Sequence, residues 1–252
     1  MIAIYEPKGK ALEYAPLALN IYRGCSHACT YCYCPAVLHM PREEFNMPGV
    51  PRPGIIAAVE HDAKKFSGDP RRVLLSFTSD CYQPSERKYR VTRSALNLLC
   101  DYGLQASVLT KNPGLAVELD LTLIEYSGVH LGTTLTRMDS MEPGAPATEA
   151  RIAAMTAAKK AGVYTWTSFE PVIRTTDTLS LLIRSPDFSD LVKIGLWNYD
   201  AKAKLINWPA FLQNALTICA STGLKYYIKN DLWALATPET RERFKQTNVE
   251  NE

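Results

Sequence analysis

Between Gly24 and Pro35 the chain reads Gly-Cys-Ser-His-Ala-Cys-Thr-Tyr-Cys-Tyr-Cys-Pro, which puts thiols at Cys25, Cys29, Cys32 and Cys34. Thiolates are the soft ligands that iron-sulfur clusters need, and a compact loop with three of them can wrap three corners of a cubane. The fourth iron is then left for another ligand. An incomplete protein ligand set keeps a position open for substrate, whereas closed four-ligand sites are usually structural. A zinc reading would take Cys29, Cys32 and Cys34 with His27 or Cys25, but the short step from Cys32 to Cys34 fits zinc spacing poorly, and no second cysteine-histidine knuckle follows. Cys34 is read as a free thiol near the cluster, and His27 and His39 as loop residues.

The elements that must position this loop follow from the apolar pattern. Residues 17–22 (LALNIY) read as a short buried strand that delivers the chain into the loop. Four prolines within residues 40–53 forbid a continuous helix there, so this stretch is expected to be an irregular surface connector, with a lid as the alternative. Beyond it the period alternates between helix and strand. Helices are expected over 55–65, 91–102, 115–126, 148–161, 178–184 and 209–221, and strands over 72–77, 104–109, 129–135, 163–169, 191–197 and 225–228. Strands alternating with helices imply a parallel sheet with right-handed crossovers. Six or so such units are too few for an eight-unit closed barrel. The expected fold is α/β, a partial, open (β/α)6-type TIM barrel whose working face is the carboxyl ends of the strands.

The pattern Cys-x3-Cys-x-aromatic-Cys after a first strand, with Tyr31 as the aromatic, resembles the radical S-adenosylmethionine superfamily. In that family three cysteines, here Cys25, Cys29 and Cys32, hold a 4Fe-4S cluster, and the methionyl group of S-adenosylmethionine chelates the fourth iron. One electron then splits the cofactor into methionine and a 5'-deoxyadenosyl radical that takes hydrogen from a substrate. Further segments are similar to the spore photoproduct lyase-like branch: residues 77–86 (FTSDCYQPSE), Leu109-Thr110-Lys111-Asn112, residues 141–146 (MEPGAP) and residues 168–173 (SFEPVI). The resemblance covers residues from about 20 to 175. It assigns Ser79 and Lys111 to S-adenosylmethionine, with Tyr31, Asp80, Glu86, Thr134 and Glu170 as further cofactor contacts. A lysine at a strand end is a compact cation suited to a carboxylate. Asp80 and Glu86 could instead cap a nearby helix. Glu170 could serve ribose or substrate, and Arg137 a phosphate or carboxylate. Asn198, Tyr199, Lys229 and Asn230, after the last two strands, are the candidates for substrate selection.

The resemblance implies a nucleobase or thymidine-type substrate, in a nucleoside or in DNA; a small metabolite or peptide is the alternative, and a non-catalytic iron-sulfur sensor is another. In the lyase the cysteine that returns hydrogen immediately precedes its Thr-Ser-Asp segment. That position is Phe77 here, which leaves Cys81, four residues on, as the candidate catalytic thiol, with an inert buried cysteine as the plainer reading. The chain also ends soon after the last strand, so little is expected of a DNA-gripping extension. The cluster would need a reductant such as flavodoxin or ferredoxin.

Composition sets the remaining limits. With 252 residues and 46% hydrophobic composition one domain is expected over 1–252, its core over about 17–230, followed by a carboxyl-terminal helix and a fraying polar tail. The net charge of +2 from 28 basic and 26 acidic residues marks no polyanion scavenger. No apolar stretch approaches the ~20 residues of a membrane span, no leader-like segment opens the chain, and seven cysteines is an odd number that favours metal over disulfides. A reducing, cytoplasmic setting is expected, with no membrane partner.

Overall fold

In the computed structural model, residues 2–246 are described. The strands are β1 (Ile4–Tyr5), β2 (Leu17–Leu19), β3 (Tyr22–Arg23), β4 (Val50–Pro51), β5 (Val73–Leu75), β6 (Ala106–Thr110), β7 (His130–Thr134), β8 (Thr165–Phe169), β9 (Leu191–Ile194) and β10 (Lys225–Ile228). Eight of them form one sheet in the order β1-β2-β5-β6-β7-β8-β9-β10. All neighbours from β2 to β10 are parallel, and β1 is antiparallel to β2 at the edge. Each crossover returns to the adjacent position, so the sheet curls toward a barrel, and β1 and β10 remain unpaired with each other. This is the open α/β barrel expected from the sequence, its seven parallel strands lying on the seven apolar runs read there.

Alternation along the strands sorts side chains into two cores. Val73 and Leu75, Val108, and Val192 and Ile194 face outward and pack with the helices. Leu74, Trp166 and Leu191 face inward and pack with Tyr14, Phe77, Leu109 and Tyr164. The outer helices are amphipathic: in Val91–Asp101, residues Val91, Ala95, Leu96 and Leu99 are buried. The helix Pro113–Tyr126 begins on Asn112, whose side chain accepts from the amide of Leu115, with Pro113 in the first turn.

Two stretches depart from the sequence reading. Residues 40–53 are not simply irregular. Pro41 precedes a helical turn, Arg42–Phe45, that buries Phe45, and Pro51 ends β4, which pairs with β3 where it has no second neighbour. The opening residues, which carry no period, hold β1 in place through Asp62, whose carboxylate accepts from the amides of Ala3 (2.7 Å) and Ile4 (3.1 Å). They then lead across the open side of the barrel, where the main-chain oxygen of Tyr14 accepts from Lys193 Nζ on β9 at 2.8 Å and Glu13 accepts from Tyr227 Oη at 2.9 Å. After β10 the helical turns Asn230–Trp233 and Pro238–Arg243 follow, and the tail 247–252 lies outside the described residues.

The interior is crowded at its middle. Gly132 lies under the indole of Trp166, and a Cβ there would sit 2.1 Å from the ring. The Gly132→Val chain is expected to lose about 1–3 kcal/mol of stability from overpacking. Adding Trp166→Leu should restore a large part of it, as read by denaturant midpoints; equal loss with and without the indole would show that the contact is not limiting.

Candidate active site

All seven cysteines are free, and Cys25, Cys29, Cys32 and Cys34 line one cavity of about 450 Å³. Its walls come from the carboxyl ends of the strands: Ser79 after β5, Thr110 and Lys111 at the end of β6, Thr134 at the end of β7, Glu170 after β8, Asn198 after β9 and Lys229 after β10. Among the described residues no group of three His, Cys, Asp or Glu side chains could hold a single metal ion.

The loop that carries them is held from three sides. Arg42 donates from Nη1 to the carbonyl of Cys29 (3.1 Å) and from Nη2 to that of Cys32 (2.8 Å), and the amide of Cys25 donates to the carbonyl of Phe45 at 2.8 Å. Gln83 is fully buried, donates to the carbonyl of Gly24 and accepts from the amides of Gly49 (2.8 Å) and Ser26 (3.3 Å). His27 bridges the carbonyl of Gly144 (Nδ1, 3.0 Å) and the carboxylate of Asp80 (Nε2, 3.1 Å). Gly144 must be glycine: a Cβ would fall 1.9 Å from the carbonyl oxygen of Ser26. Tyr31 donates to Glu142, which pairs with Arg151 at 2.6 Å; both members of that pair are fully buried. Arg151 also donates to the carbonyls of Pro146 (2.7 Å) and Thr134 (3.1 Å), fixing the loop against β7.

Asp80 and Glu86 are occupied by the protein. Asp80 accepts from the amides of Lys111 (2.7 Å) and Tyr82 (2.8 Å) and from the hydroxyl of Thr110 (2.6 Å). Burial opposes its ionisation, but His27, Thr110 and the Lys111 amide outweigh it and hold the carboxyl at about 2. Glu86 lies off the cavity wall, accepting from Tyr22 and from the amide of Thr92 (2.9 Å) in the first turn of the Val91–Asp101 helix. It serves as a cap, one of the two roles read from the sequence. Lys111 presents its ammonium 5.6 Å from the centroid of the Tyr31 ring. Burial pulls this lysine down, yet the acidic groups of Tyr31, Cys29 and Glu142 raise it well above the ordinary value, so it is a cation. Ser79 is buried on the cavity wall with its hydroxyl unpartnered within the chain.

At the far side Glu170 accepts from Tyr14 Oη (2.6 Å), Asn198 Nδ2 (3.0 Å) and Lys229 Nζ (3.0 Å). Gly195 makes room for it, since a Cβ would stand 2.7 Å from its carboxyl carbon. Burial and Glu170 raise Tyr14 well above the ordinary phenol value, so it remains a neutral donor. Tyr199 is 89% exposed at the rim. Arg137 and Asn230 do not line the cavity: Arg137 is exposed and reaches Ser180 (3.3 Å), and the Asn230 amide donates to Glu13 (2.6 Å). Cys81 is fully buried in the outer core and absent from the wall, as expected for an inert cysteine, whereas the Cys34 thiol is on the wall and donates to the carbonyl of Phe77 at 3.3 Å. Sequence reasoning missed Tyr14, Arg42 and Gln83. Only the Gln-Pro pair within residues 77–86 signalled Gln83, and neither of the others belongs to a periodic element.

No protein-family model matches the chain. An uncharacterised protein of Mycobacterium tuberculosis is 30% identical over 180 residues, covering 66% of this chain and 52% of its own length. An uncharacterised protein of Methanocaldococcus jannaschii is 26% identical over 164 residues, covering 63% of this chain and 61% of its own. The chain thus spans about half the length of the mycobacterial relative. Among solved structures, spore photoproduct lyase complexed with dinucleoside spore photoproduct superposes with a TM-score of 0.65 at 14% identity, over 91% of this chain and 79% of that one. SuiB of Streptococcus suis bound to S-adenosylmethionine gives 0.59 at 14% identity, over 88% and 52%. The chain has the fold of these proteins. No helix among the described residues is long and apolar enough to cross a membrane.

The buried Glu142–Arg151 pair yields a stability prediction. Arg151→Leu alone should cost about 3–5 kcal/mol, because it strands a buried carboxylate, and Glu142→Gln added to it should recover much of that loss. Chemical denaturation of the native chain and the two variants measures it; an Arg151→Leu cost near zero would mean that the pair does not anchor the loop.

Proposed function

We propose that the chain is a radical S-adenosylmethionine enzyme of the spore photoproduct lyase-like branch. The observation that carries this reading is the convergence of three loop thiols, the unpartnered Ser79 hydroxyl and the Lys111 cation on one cavity at the carboxyl ends of a parallel barrel.

The residues present fit a 4Fe-4S cluster. Burial pushes the Cys25 thiol up to about 12, and a cationic metal centre beside it would favour the thiolate. Cys25, Cys29 and Cys32 would hold the cluster, and Cys34 would remain a thiol. When bound, the cluster supplies the electron that splits S-adenosylmethionine into methionine and a 5'-deoxyadenosyl radical. Lys111 would pair with the methionyl carboxylate, Ser79 would hydrogen-bond beside it, and Thr134 would face the same ligand. Phe45, Phe77, Leu109 and Trp197 line the cavity and keep water from the reacting carbon. Glu170, neutralised by Lys229, would act as a positioned acceptor for ribose or substrate.

For the substrate we propose a nucleobase-type group. The supports are the sequence resemblance, the fold shared with a lyase solved with a dinucleoside, and the exposed Tyr199 beside Asn198 at the rim, where a flat ring could stack and be hydrogen-bonded. A flavodoxin or ferredoxin would deliver the electron.

Two outcomes test the reading. Anaerobic reconstitution with iron and sulfide, reduction and addition of S-adenosylmethionine should yield 5'-deoxyadenosine by chromatography, and Cys29→Ala should abolish it. A well-formed cluster that gives no product and no change in its electron paramagnetic resonance spectrum with S-adenosylmethionine would sink the enzyme in favour of a sensor. Gly144→Ala, which drives a methyl into the loop at Ser26, should lower iron and sulfide per chain while the far-ultraviolet circular dichroism holds. Unchanged iron loading would show that the loop tolerates displacement.

A further inference from the structure

The barrel has a second cavity, at its other end. It measures about 470 Å³, in the range of about 300–1,000 Å³ that small-molecule sites occupy. Its wall comes from the amino-terminal ends of the strands: Arg72 just before β5, Gln105 just before β6, His130 opening β7, and Trp166 and Lys193 on β8 and β9. Tyr14 lines both cavities, its hydroxyl turned to Glu170 above and its ring standing among Trp166, Phe77 and Lys193.

The chemistry of this wall is one-sided. Arg71, Arg72 and Lys193 contribute to it and no carboxylate does. Arg71 is engaged by Asp69 and Glu6. Arg72 spends its Nη atoms on the carbonyl of Ala106 (2.8 Å) and the side chain of Gln105 (2.9 Å), while its buried Nε has no acceptor. Lys193 is 6% exposed, and its hydrogen bonds go to main-chain oxygens, of Tyr14 at 2.8 Å and Glu13 at 3.5 Å. A buried ammonium without a carboxylate partner is costly, and an anion in the cavity would relieve that cost. Flat faces surround it. The ring centroid of Trp166 is 5.3 Å from the ammonium, and His130 stacks on Tyr164 with centroids 4.1 Å apart.

We propose that this amino-terminal mouth binds a small anion carrying a flat ring, such as a phosphorylated heterocycle, with Lys193 and Arg72 as its charge partners. Burial and the charge of Lys229 pull the Lys193 amine down to about 7 against the opposing pull of Glu13, so near neutrality part of it is uncharged. An approaching anion would draw the proton back. An uncharged amine is also a nucleophile, which gives the site a chemical label.

The probe is pyridoxal 5'-phosphate, added to the full chain and followed by tryptophan fluorescence. The Lys193 amine adds to its aldehyde and loses water to form an imine, and borohydride then delivers hydride to the imine carbon, leaving a stable secondary amine that peptide mass spectrometry locates. Saturable labelling of Lys193 is expected, at about one probe per chain. Inorganic pyrophosphate should protect the site, pyridoxal without phosphate should label it at least ~10-fold less well, and Arg72→Gln should weaken binding by a similar factor, worth about 1.4 kcal/mol. Labelling spread over surface lysines, or labelling of Lys193 indifferent to both pyrophosphate and the probe's phosphate, overturns the proposal. Because pyrophosphate protection is measured on the unaltered chain, a poorly folded Arg72→Gln does not blunt the test. The same labelling is expected of Cys29→Ala, so this site and the radical chemistry fail or stand separately.

Discussion

The buried carboxylate of Asp80 is the interaction on which the cysteine-loop side of the site depends. It sits where the chain leaves β5 and gathers three donors, Thr110 and the Lys111 amide at the end of β6 and the amide of Tyr82 in its own turn, with Nε2 of His27 in the cysteine loop standing 3.1 Å away. A carboxylate out of water is tolerated only when such donors replace its hydration. The same bonds set the distance between the thiol loop and the strand end that carries Lys111, and they leave Ser79, next in sequence, on the cavity wall. Asp80 is thus a positioning residue, and its cost in desolvation is offset by holding three loops that have no regular structure of their own.

A second buried carboxylate organises the opposite wall. Glu170 is neutralised by Lys229, oriented by Tyr14 and Asn198, and given its space by Gly195. A carboxylate that holds a cation and two donors is fixed in position. Its use to a ligand is as a fixed acceptor. Because Tyr14 belongs to the amino-terminal segment, the wall is complete only when that segment lies across the open barrel.

Much of this was legible in the sequence. Every strand from β2 to β10 in the main sheet overlaps an expected apolar run, with β6 reaching one residue beyond it to Thr110, because strands covered on both faces read as near-continuous hydrophobic stretches. The cysteine loop, Ser79 and Lys111 could be found because each closely follows or ends such a strand. Asp80 and Glu86 were legible as polar residues near the site but not as internal ones; which donors surround a carboxylate is decided by loops distant in sequence, such as His27 and Thr110. Arg137 and Asn230 stood at promising strand ends, and a positive φ of 55° at Arg137 turns that residue out toward Ser180 instead. Tyr14, Arg42 and Gln83 gave no period to read, since each works through contacts with main chain or side chains of other segments.

What the upper cavity leaves unspent decides how it can select. Asp80, Glu170, Asn198 and Lys229 are all bound within the protein, whereas the buried hydroxyls of Ser76 and Ser79 on its wall, with Lys111, have capacity to spare. A ligand that competes for Glu170 or Asn198 must replace bonds already made, which returns little net free energy. Discrimination is therefore better drawn from shape and from the aromatic surfaces of Tyr33, Phe77, Trp197 and Tyr199, where apolar contact displaces water without breaking an internal bond. For the carbon-radical chemistry proposed above that would be an apt division: fixed ionic groups would hold the cofactor end, and the walls around the reacting carbon would offer little that could be protonated or attacked in its place.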